Sequence, residues 1–198
     1  FAATPQIAAA GQPVQGETWS VTLQSATSGP LTFSHLVGLN ERLRTVSPDA
    51  TARALAACQH VAGAWADGCA VRMADGDNVL RRIASWHPDG ARLEFLDRWV
   101  FVDRLPGTSN TNTAFESGHA ALIQRSVASW LGAEQPSPPY AALVPRSAII
   151  APLVTGGLIV GVLTLVRDAD HTDFDVDDVE LAETVAAIIG AHLPGISV

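Results

Sequence analysis

Two cysteines and six histidines are the side chains of this 198-residue sequence best suited to nucleophilic or metal chemistry. Cys58 and Cys69 permit at most one bridge, and two small buried thiols in a reducing cytosol are the simpler interpretation. The histidines stand at 35, 60, 87, 119, 171 and 192, and no two have the His-x-x-x-His spacing of a zinc site. The sequence also contains no Gly-x-Ser-x-Gly and no phosphate loop. We therefore expect no catalytic residue and no metal site.

Six aspartates between positions 168 and 178 resemble an oxygen-rich calcium loop in composition. An EF-hand counted from Asp173 would need glycine at 178 and glutamate at 184, but Asp178 and Thr184 stand there. Acidic residues at the start of a helix stabilise its dipole, and this is the interpretation that we adopt.

Other side chains suit the binding of a small molecule. Thr108–Thr113 places hydroxyl and carboxamide groups at a predicted helix start, where free amides favour an anionic or polar group; simple capping is the alternative. Several aromatic residues could line a cavity, with ordinary core packing as their alternative role. The predicted ligand-binding residues are Trp86, Trp99, Phe101, Asn110, Asn112, Phe115, His119 and Ile150.

Composition excludes several classes of function. Apolar residues make up 47% and charged residues 16%, which is typical of a folded domain with a substantial core. The net charge is -8, and all 12 basic residues are arginine without a clustered basic face. We therefore expect no nucleic-acid partner and no binding to anionic lipid. Apolar runs are too short for a membrane span, and we expect a cytoplasmic protein.

The first half of the chain reads as a linker followed by helices and a hairpin. Residues 1–30 are predicted to be an N-terminal linker or extension, and residues 31–198 the folded domain. Leu36, Leu39 and Leu43 recur at helical spacing, and Ser47–Asp49 provides a cap, a proline and an acid that begin a second helix reaching Trp65.

The next stretch predicts a hairpin and several short elements. Two apolar runs around the turn Asp75–Asn78 predict antiparallel strands. The elements predicted after them are a helix at 88–98, a strand at 99–102, a helix at 108–116 stopped by Gly118, a strand at 119–123 and a loop at 132–145.

The last third of the sequence has the clearest pattern of secondary structure. Ser147–Val154 and Leu158–Val166 flank Thr155–Gly157 and predict a central hairpin that is covered on both faces. Pro152 lacks an amide hydrogen, which indicates an edge or bulge there. Gly161 indicates a close approach, for which we predict a helix lying tightly on the sheet. Residues 175–193 predict the closing helix.

These segments together resemble the GAF domain, a small-molecule sensing module of signalling proteins. Arg146–Leu165 is similar to the family's serine, apolar pair, proline, glycine turn and alternating apolar strand. Phe174, Asp177 and Asp178 resemble the family's start of the closing helix, and Gly107–Gly118 resembles its short helix over the pocket. The resemblance covers about residues 34–193.

The resemblance implies a PAS-related α+β fold. Its central antiparallel sheet would have five to six strands, with terminal helices on one face and short helices and loops roofing a pocket on the other. It implies a non-catalytic sensory domain that binds a small molecule and relays a signal through its terminal helices. It also implies a homodimer through those helices, for which Leu36, Leu39, Leu43, Val185 and Ile189 could supply an outward seam or simply pack within one chain.

Three alternatives remain open. The domain could be a ligand-free dimerisation module, or the effector-binding part of a transcriptional regulator whose DNA-reading module lies elsewhere. The third is a GAF-like free methionine sulfoxide reductase, but Cys58 and Cys69 do not stand at the positions of that enzyme's reactive cysteines. The cysteine of bilin-binding relatives and the histidine of haem-binding relatives are also absent from the corresponding positions, so we expect no cofactor.

Overall fold

The structure is a computed structural model that describes residues 22–23, 31–77, 79–97, 110–124, 143, 145–168 and 171–193. Trp99, Phe101, the predicted strand at 99–102 and nearly all of the predicted loop at 132–145 lie outside the described residues, as does most of the predicted linker. The elements, numbered in chain order, are β1 (Thr22–Leu23), β2 (Leu31–Thr32), α1 (Phe33–Thr45), α2 (Ala50–Ala64), β3 (Gly68–Ala74), β4 (Leu80–Trp86), α3 (Gly90–Phe95), α4 (Asn110–Ser117), β5 (Ala121–Gln124), β6 (Ser147–Thr155), β7 (Leu158–Arg167) and α5 (Val176–His192).

The main sheet has five antiparallel strands in the order β4-β3-β7-β6-β5. β3 and β4 form the predicted hairpin, and β6 and β7 form the predicted central one. The segments β1 and β2 make a separate antiparallel pair. These observations confirm the predicted α+β fold with a central antiparallel sheet.

The central hairpin follows from its turn chemistry. Gly156 and Gly157 have φ of 58° and 82°, which favours glycine and suits the twist of a tight hairpin. Pro152 lies beyond Ile150, the last β6 residue in register with β5, and a register shift follows between Leu153 and Val154. The predicted edge or bulge at Pro152 is thereby confirmed.

Three described helices begin at aspartates, among them α2 and α5. Asp49 is the N-cap of α2 and accepts a hydrogen bond from the Ala52 amide at 2.8 Å. The predicted hydroxyl cap at Ser47 is therefore wrong: its Oγ accepts from the Asp49 amide instead. Asp175 caps α5 in a reciprocal capping box with Asp178, because each side chain accepts from the other residue's backbone amide.

Helices α2 and α5 cover one face of the sheet, α1 packs against both of them, and the three helices bury most of the apolar core there. The five apolar residues considered for an outward dimer seam are all buried within the chain, at 9% exposure or less. That outward seam is wrong, because the stripe of α1 packs against α2 and α5 and the stripe of α5 packs against the sheet. Among the described helices, none combines the length and the apolar character needed to cross a membrane.

Two glycines mark close backbone contacts. A Cβ on Gly161 would lie 2.1 Å from the backbone oxygen of Arg72 on the neighbouring strand β3. The prediction that a helix approaches Gly161 is therefore wrong, because the close contact is with the backbone of the neighbouring strand β3. The helix approaches at Gly190 of α5 instead, where a Cβ would lie 2.6 Å from the Val154 oxygen.

Candidate functional site

The two faces of the five-stranded sheet are covered differently. We call the face covered by α2 and α5 the α5 face. The opposite face, which contacts α4 and the Leu96 side chain after α3, is the α4 face. Because side chains alternate along a strand, Cys69 and Val71 of β3 lie on the α5 face, whereas Ala70 and Arg72 lie on the α4 face. Helices at both chain ends and short helices on the other side confirm the predicted layering.

The α4 face carries two apolar clusters with polar groups between them. Leu96, Ala70, Ala148 and Val166 form one cluster. The second surrounds Ala114 of α4 and consists of Ala74, Leu80, Ala114, Ile150 and Val162, with Phe115 and Ile123 at its margin. Arg72 and Thr164 lie between the two clusters, and each is 2% exposed. A largely apolar surface with a few converging polar groups is the usual composition of a ligand site.

A second arginine faces Arg72 across the sheet. Arg72 and Arg82 are directly opposite in the β3–β4 ladder, which places both side chains on the α4 face. Arg82 forms an ion pair with Asp97, whose Oδ1 also accepts from the Ser85 hydroxyl at 2.6 Å. Like charges in this position repel each other, and Asp97 neutralises Arg82.

A buried histidine links the end of β4 to the end of β7. The Asp89 amide donates to His87 Nδ1 at 3.0 Å, so Nε2 carries the proton and donates to Asp168 Oδ2 at 3.0 Å. The other oxygen of Asp168 pairs with Arg92 at 2.7 Å. Both ring nitrogens of His87 are thus engaged, which suits a structural link better than a general base.

Asp89 also holds the start of α3. Its carboxylate accepts from the amides of Arg92 and Ala91, and these hydrogen bonds, the Arg92 bond foremost, lower the pKa of Asp89. The cap therefore favours an ionised carboxylate beside His87 and fixes α3 against this corner of the sheet.

A second set of interacting polar side chains lies on the α5 face and is fully buried. Arg167 pairs with Asp178 at 3.1 Å, and the other Asp178 oxygen accepts from the Trp65 indole nitrogen at 3.1 Å. The guanidinium lies 4.0 Å from the centre of the Phe174 ring, which packs edge-on against Trp65. Burial lowers the pKa of Arg167, and Asp178 opposes that shift. This group attaches the start of α5 to the end of β7.

Asp67 lies between these two polar groups. Its Oδ2 accepts from the Asp168 amide at 2.8 Å and lies 2.8 Å from His171 Nδ1. The Asp67 amide donates to the Val166 oxygen at 2.9 Å. One continuous set of polar contacts therefore runs from the His87 corner around the end of β7 toward the start of α5.

The two cysteines are free and lie in the core of the α5 face. Burial raises the pKa of the Cys69 thiol, and the hydrogen bond with Cys58 adds to this rise. A buried, protonated thiol is a poor nucleophile. The geometry therefore gives neither cysteine the accessible thiolate that sulfur chemistry requires.

The predicted ligand-binding residues fall in different places. Ile150 belongs to the apolar cluster on the α4 face, and Phe115 packs against it. Asn112 is half-buried in α4, whereas Asn110 and His119 are exposed. Trp86 packs against the apolar cluster on the α5 face, away from Ile150 and Phe115. Its Cα partner Cys69 lies on that same face.

Arg72 and Thr164 are candidate site residues that the sequence reasoning missed. The available signal was a single charged residue in the otherwise apolar strand Gly68–Ala74. Arginine is almost never fully buried without a specific reason, so such an interruption indicates a polar position inside the fold.

The family model of the GAF domain matches residues 49–193. Among curated protein sequences, none matches this chain. Solved structures show the same fold, including the GAF domain of a phosphoenolpyruvate-protein phosphotransferase from Coxiella burnetii. It is 14% identical, with a TM-score of 0.61, and the match covers 80% of this chain and 90% of that one.

Two further solved structures with the same fold come from an enzyme and from a chemotaxis protein. Free methionine-R-sulfoxide reductase from Neisseria meningitidis is 18% identical with a TM-score of 0.57, over 79% of this chain and 84% of that one. Residues 122 to 287 of a methyl-accepting chemotaxis protein are 16% identical with a TM-score of 0.53, over 78% and 93% of the two chains.

The layered sheet and its helices define the GAF-like class of α+β domains. The family match extends over most of the chain, so the protein belongs to the GAF domain family. Its fold is found both in signalling proteins and in an enzyme.

Proposed function

We propose that this chain is a non-catalytic sensory domain that binds a small molecule on the α4 face. The observation that carries the proposal is the pair Arg72 and Thr164, buried between two apolar clusters on this face. Such a surface offers apolar area for affinity and few polar groups for selection. The chemotaxis protein and the phosphotransferase domain of the same fold support a role in signalling.

The signal would pass through the sheet to the terminal helices. On β3, Arg72 lies on the α4 face beside Val71, which packs under the terminal helices on the other face. A ligand that favours one packing of β3 and β7 would therefore shift the population of arrangements of α1 and α5. No new bond to those helices is needed for this effect.

The test combines native mass spectrometry of freshly purified protein with thermal unfolding in a library of metabolites. We expect a co-purifying small molecule or a compound that raises the melting temperature, because a ligand stabilises the state that it binds. If no bound mass and no stabilising compound is found, the proposal is overturned.

A pair of threonine variants locates the binding. Thr164→Val removes the buried hydroxyl on the α4 face, whereas Thr184→Val removes an exposed hydroxyl that donates to the Glu180 oxygen. We expect weaker binding only in Thr164→Val. Equal affinity in both variants would place the ligand elsewhere.

The absence of catalysis is also part of the proposal. Cys58 and Cys69 are buried on the face opposite to the candidate site, and free thiols in the core suit a reducing cytoplasm. Incubated with free methionine sulfoxide and dithiothreitol, the protein should form no methionine above the buffer control. Turnover that persists in Cys58→Ser and is lost in Cys69→Ser would restore the enzymatic alternative.

A homodimer through the terminal helices is favoured by a different surface from the one first predicted. Phe33 and Val37 of α1 are one helical turn apart and are 44% and 37% exposed. We expect Phe33→Asp to lower the mass measured by light scattering to that of one chain, whereas Leu158→Asp at the hairpin tip should not. A wild-type protein that is monomeric at high concentration would exclude this interface and leave ligand binding as the function.

A further inference from the structure

The last turn of α5 is held by hydrogen bonds from three other elements. His192 Nε2 lies 2.7 Å from Asn40 Oδ1 of α1, and Arg53 Nη1 of α2 donates to the His192 carbonyl at 2.7 Å. The Thr155 hydroxyl of β6 donates to the Gly190 carbonyl at 2.6 Å. We call these three contacts the α5 junction.

The α5 junction connects parts of the domain that are far apart in sequence. The contact with α1 spans 152 residues and the contact with α2 spans 139. The last carbonyls of a helix have no partner within that helix, and here a guanidinium is the partner of the His192 carbonyl. Because these bonds form only while α5 is packed on α1 and α2, a change at this point alters how the three helices are held together.

His192 is the side chain of the α5 junction that changes its charge near neutral pH. Asn40 and Thr155 do not ionise, and Arg53 stays protonated throughout this range. Because Asn40 Oδ1 is an acceptor, His192 Nε2 carries a proton in the junction, and a second proton is added at Nδ1. Protonation therefore adds one positive charge to the ring.

The charged groups that act on His192 from the helices packed around it are arginines. Burial, and then Arg53 of α2 and Arg44 of α1, lower the pKa of His192 from 6.5. These effects outweigh the carbonyl end of α5, which favours a cation. Strand β6 contains no charged residue, Glu41 of α1 is exposed where solvent screens its charge, and Glu183, the nearest acid of α5, lies more than two turns earlier.

We propose that the α5 junction is a pH-sensitive switch, which holds the terminal helices together while His192 is neutral and releases the end of α5 when His192 is protonated. Protonation places a third positive charge near Arg53 and Arg44, and movement of the last turn away from α1 and α2 relieves the repulsion. The terminal helices are also the elements through which the proposed signal passes, so protons bias the same arrangement. The switch itself needs no ligand.

Linkage gives the pH range of the switch. Above pH 6.5 His192 is neutral whether or not the junction is formed, and the contacts contribute their full stability. Below pH 6.5 the released histidine takes up a proton more readily than the packed one, because the pKa of the packed one is lower. The junction therefore loses stability as the pH falls from 6.5 through the pKa of the packed histidine.

Amide hydrogen exchange measures the opening of the last turn of α5. Exchange of a peptide covering residues 186–193 is compared at about pH 7.5 and about pH 5.5 in the wild type and in His192→Gln, after correction for the intrinsic exchange rate. Glutamine keeps an amide that can donate to Asn40 but takes up no proton. We expect the ratio of wild-type to variant exchange to rise by about twofold or more in acid.

A peptide of β7 covering residues 160–166 is the internal control. Its ratio should be equal at both pH values, because this segment is buried in the sheet. An unchanged ratio for residues 186–193 overturns the switch, and so does a ratio that falls in acid. A rise in both peptides together is global acid unfolding and also overturns it.

Two arginine variants test the source of the repulsion. Arg44→Gln removes an exposed charge that acts on His192, so it should raise the pKa of His192 and diminish the acid-induced rise in exchange. Arg81→Gln removes an exposed arginine of β4, changes the net charge equally and should behave as the wild type does. Equal effects in the two variants would mean that net charge governs the response, which overturns the assignment to the α5 junction.

A nuclear magnetic resonance titration of the His192 ring protons in the wild type covers the case in which His192→Gln does not fold. We expect a pKa below 6.5, and a value at or above 6.5 overturns the switch. The ligand proposal fails separately: a compound that stabilises the protein equally at both pH values keeps the sensory function even if the switch is overturned. If no compound binds, the acid response of residues 186–193 still decides the switch.

Discussion

Asp178 is fully buried, and both of its carboxylate oxygens accept hydrogen bonds. Oδ2 accepts from Arg167 and from the Asp175 amide, and Oδ1 accepts from Trp65. One residue thus closes the capping box of α5 and neutralises a buried guanidinium. A buried charge that loses its partner is much more costly than the pair itself is stabilising.

We expect Asp178→Asn to lower the free energy of unfolding by about 3 kcal/mol, because it leaves Arg167 buried without its counter-charge. Urea unfolding followed by circular dichroism measures the change. Asp177→Asn, one residue earlier and exposed, should cost about 0.5 kcal/mol or less. Similar losses in the two variants would mean that the buried pair does not govern the stability of α5.

The turn between β3 and β4 illustrates how an exposed element is held by one carboxylate. Asp75 accepts from the amides of Val79 and Asp77 and pairs with Arg81 at 2.6 Å. The pKa of Asp75 is lowered from 3.8, chiefly by the Val79 hydrogen bond and then by Arg81. The native turn therefore stabilises the ionised form of the Asp75 carboxylate relative to the protonated form.

A lowered pKa in the folded state gives stability that is present above pH 3.8 and is lost as the pH falls through the folded pKa. We expect wild type to be more stable than Asp75→Asn at neutral pH and the difference to shrink in acid. Unfolding curves measured from pH 7 downward test this, with Asp77→Asn as the control for removing one charge from the turn. A difference that grows in acid would contradict the expected sign.

Helix α5 can lie against β6 only because residue 190 has no side chain. A Cβ there would clash with the Val154 backbone, whereas a Cβ on Gly63 of α2 meets nothing within 4 Å. The same substitution is therefore expected to have opposite effects at the two sites.

We expect Gly63→Ala to stabilise the protein by about 0.5–1 kcal/mol through helix propensity. Gly190→Ala should destabilise it by about 1–3 kcal/mol, because the helix must shift outward. Urea midpoints of the two variants give the comparison. Stabilisation by Gly190→Ala would show that α5 does not pack on Val154 as described.

At the scale of the whole molecule, Cys58 and Cys69 report on opening of the core. Both are fully buried between α2 and the sheet, and the raised pKa of Cys69 keeps that thiol protonated. Access to them requires separation of layers that belong to one apolar cluster.

We therefore expect a thiol reagent to leave the native protein unlabelled over minutes and to modify both cysteines once urea unfolds it. The labelling midpoint should coincide with the unfolding midpoint from circular dichroism. Rapid labelling of the native protein would mean that α2 separates from the sheet without global unfolding.

Local patterns predicted much of this molecule. The hairpins, the stripe Leu36, Leu39 and Leu43, and the capping acids before α5 all depend on interactions between residues close in sequence. The face on which Trp86 lies could not be predicted locally, because the register shift between β3 and β4 changes which side chains of β4 share a face. Arg72 was overlooked because its burial depends on pairing with β7, which is distant along the chain.

The sequence alone determined the α+β class and the family resemblance. The alternation of apolar and polar residues, the glycine turns and the helix caps each depend on a short stretch of chain. Only the tertiary structure decided which face of the sheet carries Arg72 and Thr164 and at which glycine a helix packs closely on the sheet. It also decided that the cysteines lie away from the candidate site. The physical reason is that burial and close approach are properties of pairs of segments, and the strand order β4-β3-β7-β6-β5 brings together residues that no local pattern connects.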